Sequence, residues 1–292
     1  MMREGAYHVL LLPCVIVIFI FHYVPLYGLV IAFQRYNVAM GFSSPWVGLA
    51  NFRQIFSQAQ FIRTIYNTIY ISFFKMIGGI IVPVIFALLL NEINNVFMKR
   101  MFQTLVYLPH FLSWVIMAGI FIDILSLNGI VNKVIMVIGF EPIMFLSIPS
   151  LFPWVMVVTD IWKGFGFGTV IYLAAITSID PGLYESALVD GAGRWRQTLH
   201  ITLPLMAPTI VLMTVLSLGG ILSAGFDQIF NMYSPIVMSR ADIIDTFMFR
   251  IGIQGAQYSL GTAVGLFKSV VAAILIGLSQ YMAGRFAGYR VF

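Results

Sequence analysis

The chain has 292 residues, of which 60% are hydrophobic and 9% are charged, and its mean hydropathy is +0.96. Soluble domains carry about 25% charged residues, so this composition excludes an ordinary water-soluble fold and indicates an integral membrane protein. The formal net charge of +5 is modest, and basic residues of membrane proteins are typically retained on the cytoplasmic side, so we expect no nucleic-acid partner. The single cysteine, Cys14, provides neither a disulfide framework nor a pair of metal ligands.

Six apolar segments are long enough to cross the membrane, because about 30 Å of hydrocarbon takes about 20 residues of helix. We predict an all-α protein in which residues 1–292 form a single transmembrane domain. The predicted spans are about 9–33, 65–90, 104–125, 151–177, 204–224 and 260–283. With six spans, both termini lie on the same side of the membrane.

The distribution of basic residues favours the cytoplasm for both termini. In that orientation the inner connections are the shorter ones and have the higher density of basic residues, as the positive-inside rule requires. The inner basic residues are then Arg3, Lys99, Arg100, Arg194, Arg196, Arg285 and Arg290.

A polar loop, residues 180–204, separates the fourth and fifth predicted spans. Asp180 is a favourable N-cap for a short helix, and Gly191 is the residue type that ends a helix in a left-handed conformation. We expect a second short helix from about Arg194, with Pro204 starting the next span. The loop is thus predicted to present two short helices at the membrane surface.

The same loop resembles the "EAA" loop of permease subunits in ATP-binding-cassette importers, which docks on the ATPase. Ser186 is a departure, because that family usually has alanine there. The resemblance implies a type I importer permease fold with a cytoplasmic coupling helix between spans 4 and 5. The residues that match the motif, and that would couple to the ATPase, are Glu185, Ala187, Asp190, Gly191, Ile201, Leu203 and Pro204.

Matches to carbohydrate-type permeases extend along nearly the whole chain, from residues 25–28 and 46–52 through Asn67 and Thr68 to residues 244–246 and 263–267. Such importers have a second, usually different permease, two ATPases and an extracytoplasmic solute-binding protein, and they lie in the bacterial cell membrane in contact with lipid. The chain has no phosphate-binding loop with Gly-Lys-Ser/Thr, so ATP and Mg are expected in the partner ATPase. We therefore expect a transport subunit that is not an enzyme and holds no cofactor or metal of its own.

Charged and aromatic residues within spans indicate a substrate pathway, because intramembrane charges are costly and usually functional. Residues 160–167 resemble the segment that contacts sugar in the maltose importer's permease. Asp160 and Lys163 are three residues apart on one helical face and could pair. Structural pairing and plain helix packing remain alternatives. The candidate pathway residues are Asp160, Trp162, Lys163, Gly164, Phe167, Ser217, Gly220, Ile221 and Ala224.

Three intramembrane lysines, Lys75, Lys163 and Lys268, suggest a cavity that favours an acidic saccharide, although lysine side chains also reach outward to lipid headgroups. The interpretation that follows is an importer permease for a carbohydrate, an oligosaccharide, with an acidic one as an option. Two alternatives stay open. One is a permease for another solute, such as glycerol phosphate or a peptide. The other is an autonomous secondary transporter with Asp160 and Lys163 as an ion relay.

Overall fold

The computed structural model describes the backbone of residues 2–286 and the side chains of residues 10–281. Within this range the regular structure is helical, with two isolated β-bridges and no strand. The side chains of Arg3, Arg285 and Arg290, which contribute to the predicted orientation, lie outside the described residues. The orientation with both termini in the cytoplasm stays a prediction.

Helices occupy most of the described chain. Several are continued by short π or 3-10 turns; a π turn, Phe19–Tyr23, and a 3-10 helix, Val24–Phe33, extend α1 through the first apolar stretch. The α-helices are, in chain order, α1 Met2–Ile18, α2 Ala50–Phe56, α3 Ala59–Asn91, α4 Val96–Tyr107, α5 Trp114–Leu125, α6 Ile130–Val137, α7 Phe152–Thr177, α8 Pro181–Val189, α9 Arg194–Gln197, α10 Leu203–Leu218, α11 Phe226–Met232, α12 Met238–Ala241, α13 Ile244–Met248 and α14 Tyr258–Phe286.

Five helical stretches among the described residues are long and apolar enough to cross a membrane. A sixth candidate is α7 together with α8, two helices that meet at a bend of 66°. The sharp bend places the polar α8 at an angle to the apolar α7. The five stretches are Leu10–Phe33, Ala59–Asn91, Trp114–Val137, Arg194–Leu218 and Tyr258–Tyr281.

The third predicted span, 104–125, is not a single helix. The helix α4 ends at Tyr107, a 3-10 turn follows, and α5 begins only at Trp114. Pro109 lacks the N–H that a continuous helix would use. Ser113 then caps α5, because its hydroxyl accepts a hydrogen bond from the Ile116 N–H at 3.4 Å. Hydropathy alone runs smoothly through this break, which explains why the sequence prediction missed it.

The fifth predicted span starts and ends earlier than expected. Helical backbone begins at Arg194 and runs through a π turn, Thr198–Thr202, into α10, which ends at Leu218 rather than at residue 224. Within the turn the Leu203 N–H donates to the Thr198 carbonyl, five residues earlier. The widened turn accommodates Pro204, which cannot donate a backbone hydrogen bond. Pro204 therefore does not mark the start of the helix.

The chain divides into two compact units. The first comprises the described residues up to 62 together with 247–269. In this unit the Asn51 amide donates to the carbonyls of Ala32 and Gln34 at 2.8 and 2.9 Å, which fixes the chain after the first span. The Phe33 ring stacks on Trp46 with ring centres 5.5 Å apart. Buried polar contacts and aromatic pairs thus order this unit.

The second unit comprises residues 63–246 and the described residues from 270 onward. It contains the candidate functional residues. Its larger core joins α3, α5, α7 and α11 through fully buried side chains such as Ile71, Met117, Met156 and Ile229. A second cluster joins α3, α7 and α10. The prediction that residues 1–292 form one transmembrane domain stays a prediction.

Candidate functional site

The loop between α7 and α10 has the caps that its sequence predicts. The Asp180 carboxylate accepts a hydrogen bond from the Gly182 N–H at 2.9 Å. At the other end Gly191 has a φ of +77° and donates to the Leu188 carbonyl at 3.0 Å. The Ala192 N–H donates to the Ala187 carbonyl at 2.8 Å. These two bonds form a Schellman motif, which satisfies the last carbonyls of α8 and reverses the chain.

The seven residues that match the docking motif differ in exposure. Glu185, Asp190, Gly191 and Pro204 are exposed, whereas Ala187, Ile201 and Leu203 are half-buried. The end of α8 also exposes apolar side chains, and Val189 is 88% exposed. Exposed apolar and acidic groups on a short, well-capped helix form a surface suited to a protein partner. The coupling role of these residues stays a prediction.

One side-chain contact holds α8 against the start of the next span, and a second fixes the turn that follows α8. The hydroxyls of Tyr184 and Thr202 lie 3.0 Å apart. The Gln197 amide donates to the Ala192 carbonyl at 2.9 Å. The sequence analysis did not identify Tyr184 or Thr202. They lie 18 residues apart, and no local pattern indicates that they meet.

A cavity of about 790 Å³ lies beside this loop. Its walls come from the end of α3 and from α8, α9 and the π turn. At its rim the Arg194 guanidinium and the Glu92 carboxylate are 2.9 Å apart, and their side chains are 72% and 46% exposed. Exposed ion pairs of this kind contribute about 0–1 kcal/mol, so this contact orients the loop only weakly.

A separate polar cavity of about 310 Å³ contains five of the nine candidate pathway residues: Asp160, Ser217, Gly220, Ile221 and Ala224. The remaining lining residues are Ser72, Lys75, Met76, Gly79, Ser223 and Gly225. The structure therefore brings Asp160 of span 4 and the predicted residues of span 5 together with residues of α3 that the sequence analysis did not assign to the site.

Lys75 is the centre of the polar contacts in this cavity. Its ammonium lies 3.2 Å from the Asp160 carboxylate and donates to the Ala224 carbonyl at 2.8 Å and to the Gln228 side-chain carbonyl. The predicted pairing of Asp160 with Lys163 is therefore wrong. The expectation that Lys75 could extend to lipid headgroups is also wrong, since its side chain is only 9% exposed.

Gln228 fixes the position of the Lys75 ammonium. Its side chain is fully buried, and its amide donates to the Met156 carbonyl at 2.9 Å and to the Thr159 hydroxyl at 2.7 Å. The amide group is thus bonded on both its oxygen and its nitrogen. Neither Lys75 nor Gln228 could be linked to Asp160 by spacing, because they lie 85 and 68 residues away from it in the sequence.

Four candidate residues on α7 do not line the cavity: Trp162, Lys163, Gly164 and Phe167. Successive helical residues are about 100° apart, so Trp162 falls on the face opposite Asp160, where it meets Phe121 edge to face. The Phe167 ring stacks on His110 with centres 4.2 Å apart. Gly164 borders open space.

Lys163 is buried at the break between α4 and α5 rather than in the cavity. Its ammonium donates to the His110 carbonyl at 3.0 Å and lies 5.2 Å from the centre of the Trp114 ring. Lys268 is half-buried in α14. The prediction that Lys75 and Lys163 line one cavity is wrong, because Lys75 lines the cavity around Asp160 whereas Lys163 is bound at the break between α4 and α5. For Lys268 it stays a prediction.

Comparisons with known proteins agree with this architecture. Residues 79–287 match the family described as "Binding-protein-dependent transport system inner membrane component". Protein LplB of Bacillus subtilis (strain 168) is 41% identical over 97% of this chain and 90% of its own length. The polygalacturonan/rhamnogalacturonan transport system permease protein YteP of the same strain is 38% identical over 98% of this chain and 90% of its own.

Two crystal structures have the same fold. One is a bacterial ABC transporter involved in the import of the acidic polysaccharide alginate, with a TM-score of 0.90, 41% identity and coverage of 97% of this chain and 96% of that one. The other is a bacterial alginate ABC transporter in complex with an alginate pentasaccharide-bound periplasmic protein, with a TM-score of 0.91 and 40% identity over 99% of this chain and 97% of that one.

The apolar helices and the matches over nearly the whole chain define a membrane-embedded transport subunit. The chain belongs to the family of inner membrane components of binding-protein-dependent transport systems. It is a multi-pass inner-membrane permease subunit of an importer. The predicted importer-permease fold and membrane location are confirmed.

Proposed function

We propose that this chain is one of two different permease subunits of an ATP-driven importer for an acidic oligosaccharide. The observation that carries the proposal is the match to the alginate importer, with 41% identity and a TM-score of 0.90 over nearly the whole of both chains. The name of YteP, a polygalacturonan/rhamnogalacturonan permease, supports the same substrate class. Both names describe acidic polysaccharides, and both relatives align with this chain from end to end.

Coupling to ATP hydrolysis is proposed to occur through α8. The helix is capped at both ends and exposes Glu185, Asp190 and apolar side chains, so it can enter a cleft on a partner as a rigid body. Tyr184 and Thr202 connect α8 to the helix that leads into α10. Movement of an ATPase would therefore be transmitted directly to a membrane span that borders the polar cavity.

The partners follow from this mechanism. Two ATPase subunits bind and hydrolyse ATP with Mg, and this chain contributes no cofactor. A solute-binding protein delivers the oligosaccharide from outside; the crystal structure of the alginate transporter in complex with an alginate pentasaccharide-bound periplasmic protein supports this partner. ATP binding favours one of two global conformations, and the cavity around Asp160 is exposed alternately to the two sides of the membrane.

Affinity purification from the native membrane tests this proposal. A tagged form of the chain is isolated in mild detergent, and the proteins recovered with it are identified and quantified by mass spectrometry. We expect equimolar amounts of a second, different permease and two copies of an ATPase per complex. Recovery of an intact chain with neither partner would contradict the proposal and would favour an autonomous carrier.

A further inference from the structure

A pocket of about 420 Å³ lies in the first compact unit, at the loop that follows the first span. Its walls come from residues between 35 and 45 and from residues 256 and 258. None of these residues belongs to the candidate pathway or to the loop that contains α8. In the predicted orientation the pocket lies on the outer side of the membrane, because its loop follows the first span. Its volume falls within the range of small-molecule sites, about 300–1,000 Å³.

The pocket is held in shape by backbone hydrogen bonds. Residues 34–46 fold back on themselves, and the Arg35 N–H donates to the Pro45 carbonyl at 2.9 Å. The Tyr36 N–H donates to the Ser259 hydroxyl, 223 positions away in the sequence, also at 2.9 Å. This second bond fixes the loop on the start of α14. The side chains of the wall are thus positioned before a ligand arrives, which lowers the entropic cost of binding.

Arg35 gives the pocket its charge. The residue is exposed, and among the described residues its guanidinium has no hydrogen-bond or ion-pair partner. A guanidinium stays ionised and presents its donors in a planar fork that matches a carboxylate. Residues 10–62 and 247–269 contain neither aspartate nor glutamate, and their basic residues are Arg35, Arg53, Arg250 and Lys268. Because these segments supply no carboxylate, the cation in the pocket attracts anionic ligands.

Two tyrosines and an amide lie on the same walls. The rings of Tyr36 and Tyr258 meet edge to face with centres 6.1 Å apart, and Tyr258 is 38% exposed. The Asn37 carboxamide oxygen accepts a hydrogen bond from the Ala39 N–H at 2.9 Å, which leaves the amide nitrogen available as a donor. Tyrosine combines an apolar ring with a hydroxyl that forms hydrogen bonds. These groups are complementary to a sugar ring, which has apolar faces and hydroxyls along its edge.

The backbone is strained at one point of the pocket wall. Ala256 has a φ of +51° and is the only non-glycine residue with a positive φ among those that the structure describes. A residue with a Cβ is disfavoured in this left-handed conformation. Strained residues cluster at ligand sites, where the surrounding structure holds them in place. The strain at Ala256 therefore agrees with a binding role for this wall.

We infer that this pocket binds a carboxylate-bearing sugar unit of an acidic oligosaccharide on the outer side of the membrane. Arg35 binds the carboxylate through charge-assisted hydrogen bonds, and Asn37 and the two tyrosines contact the sugar ring. The inference rests on the proposed function and adds a site formed by residues other than those of the cavity around Asp160. The site gives this chain a means of preferring acidic over neutral saccharides, because only an acidic unit pairs with Arg35.

A thiol on the pocket wall reports occupancy without transport. The chain has a single cysteine, so Cys14→Ala combined with Val38→Cys leaves one thiol, at a position that is 70% exposed. The assembled importer, in nanodiscs of phosphatidylcholine, is alkylated with an uncharged maleimide. The probes are an oligogalacturonate tetrasaccharide and its carboxyl-reduced form, both without binding protein. Ser57→Cys in the same background, exposed at the end of α2 and outside the pocket, is the control.

We expect the acidic probe to slow alkylation of the Val38→Cys variant at about fivefold lower concentration than the reduced probe, the upper end of what an exposed charge pair contributes. The difference should shrink as the salt concentration rises, because salt screens exposed charges. Neither probe should protect the control. Equal protection by the two probes, or none by either, would overturn the inference. Protection that appears only when the binding protein is added would also overturn it, because the pocket would then contact that protein.

Two arginine variants test whether the charge acts in the pocket. Arg35→Gln should abolish the advantage of the acidic probe, because glutamine keeps hydrogen-bonding groups but has no charge. Arg53→Gln, at an exposed arginine on α2 in the same unit and outside the pocket, should leave the advantage unchanged. Equal losses in the two variants would show that the positive charge of the unit as a whole attracts the acid, and would contradict the assignment to Arg35.

Uptake by the complete importer separates this inference from the proposed function. We expect Arg35→Gln to raise the concentration of oligogalacturonate-loaded binding protein that gives half-maximal uptake by about fivefold, with an unchanged maximal rate. Uptake of the carboxyl-reduced probe should stay the same. Equal effects on the two probes, or no effect on either, would overturn the inference and leave the proposed function intact. Absence of ATP-dependent uptake of either probe by the unmodified importer would instead contradict the proposed function, and the alkylation measurement would still decide the inference about the pocket.

Discussion

The hydroxyls of Tyr184 and Thr202 lie 3.0 Å apart, one on α8 and the other in the π turn that leads into α10. This contact joins the predicted docking helix to a membrane span by a hydrogen bond that does not depend on the chain connection. If α8 transmits movement from an ATPase, this bond is part of the route by which the movement reaches α10.

Tyr184→Phe should therefore uncouple transport without preventing assembly. Removing the hydroxyl deletes a hydrogen bond worth about 1 kcal/mol while the ring continues to fill its place. We expect uptake per ATP hydrolysed to fall several-fold, measured in proteoliposomes that contain the complete importer. Tyr281→Phe, an exposed tyrosine at the end of α14, is the matched control. Equal coupling ratios for both variants would show that the bond has no part in coupling.

Gly191→Ala should strain the end of α8. The φ of +77° costs a residue with a Cβ about 1–2 kcal/mol. No heavy atom lies within 4 Å of the point that this Cβ would occupy, so the effect is conformational rather than steric. We expect reduced uptake with the substrate still delivered, and partial recovery in Gly191→Asn because asparagine tolerates this region better. Gly119→Ala, in open space within a regular helix, should leave uptake unchanged.

Lys163→Met tests whether this lysine acts on the substrate or on the fold. Its ammonium bonds to the His110 carbonyl at the break between α4 and α5, and loss of a charged hydrogen bond costs about 1.5–3 kcal/mol. We expect a lower thermal unfolding temperature of the purified complex and equal losses for acidic and neutral saccharides. A selective loss of the acidic saccharide, with unchanged thermal stability, would contradict this account.

Gly166→Ala should disturb the packing of α7 on α4. A Cβ at this position would overlap the backbone carbonyl of Val106, which cannot move aside as a flexible side chain could. Overpacking of this kind costs about 1–3 kcal/mol. Gly277→Ala, in a helix with open space around it, provides the control. Thermal unfolding of the two variants in the same detergent compares them, and equal unfolding temperatures would count against the close packing.

Local chemistry explains what could be predicted from the sequence. The caps of α8 depend on Asp180 and Gly191, whose hydrogen-bond partners lie within a few residues, so short-range rules were sufficient. The long apolar segments similarly indicated membrane helices, because the bilayer imposes their length.

The ion pair of Asp160 could not be predicted from the sequence, because it is a long-range contact. Lys163 lies on the same helical face as Asp160, yet Asp160 pairs with Lys75, which is 85 positions away. Spacing along one helix cannot show which neighbouring helix supplies a partner. The break at Pro109 and the π turn before Pro204 were missed for a different reason: hydropathy is insensitive to backbone hydrogen bonding.

The most direct test of the central claim is uptake by the reconstituted importer. The chain, its partner permease and the two ATPase subunits are placed in proteoliposomes with ATP inside and the oligogalacturonate-loaded binding protein outside. The account predicts accumulation that requires both ATP and the binding protein and that ceases when the ATPase is inactivated. Accumulation that persists without ATP and is abolished by an uncoupler would contradict it, because it would show an autonomous ion-coupled carrier.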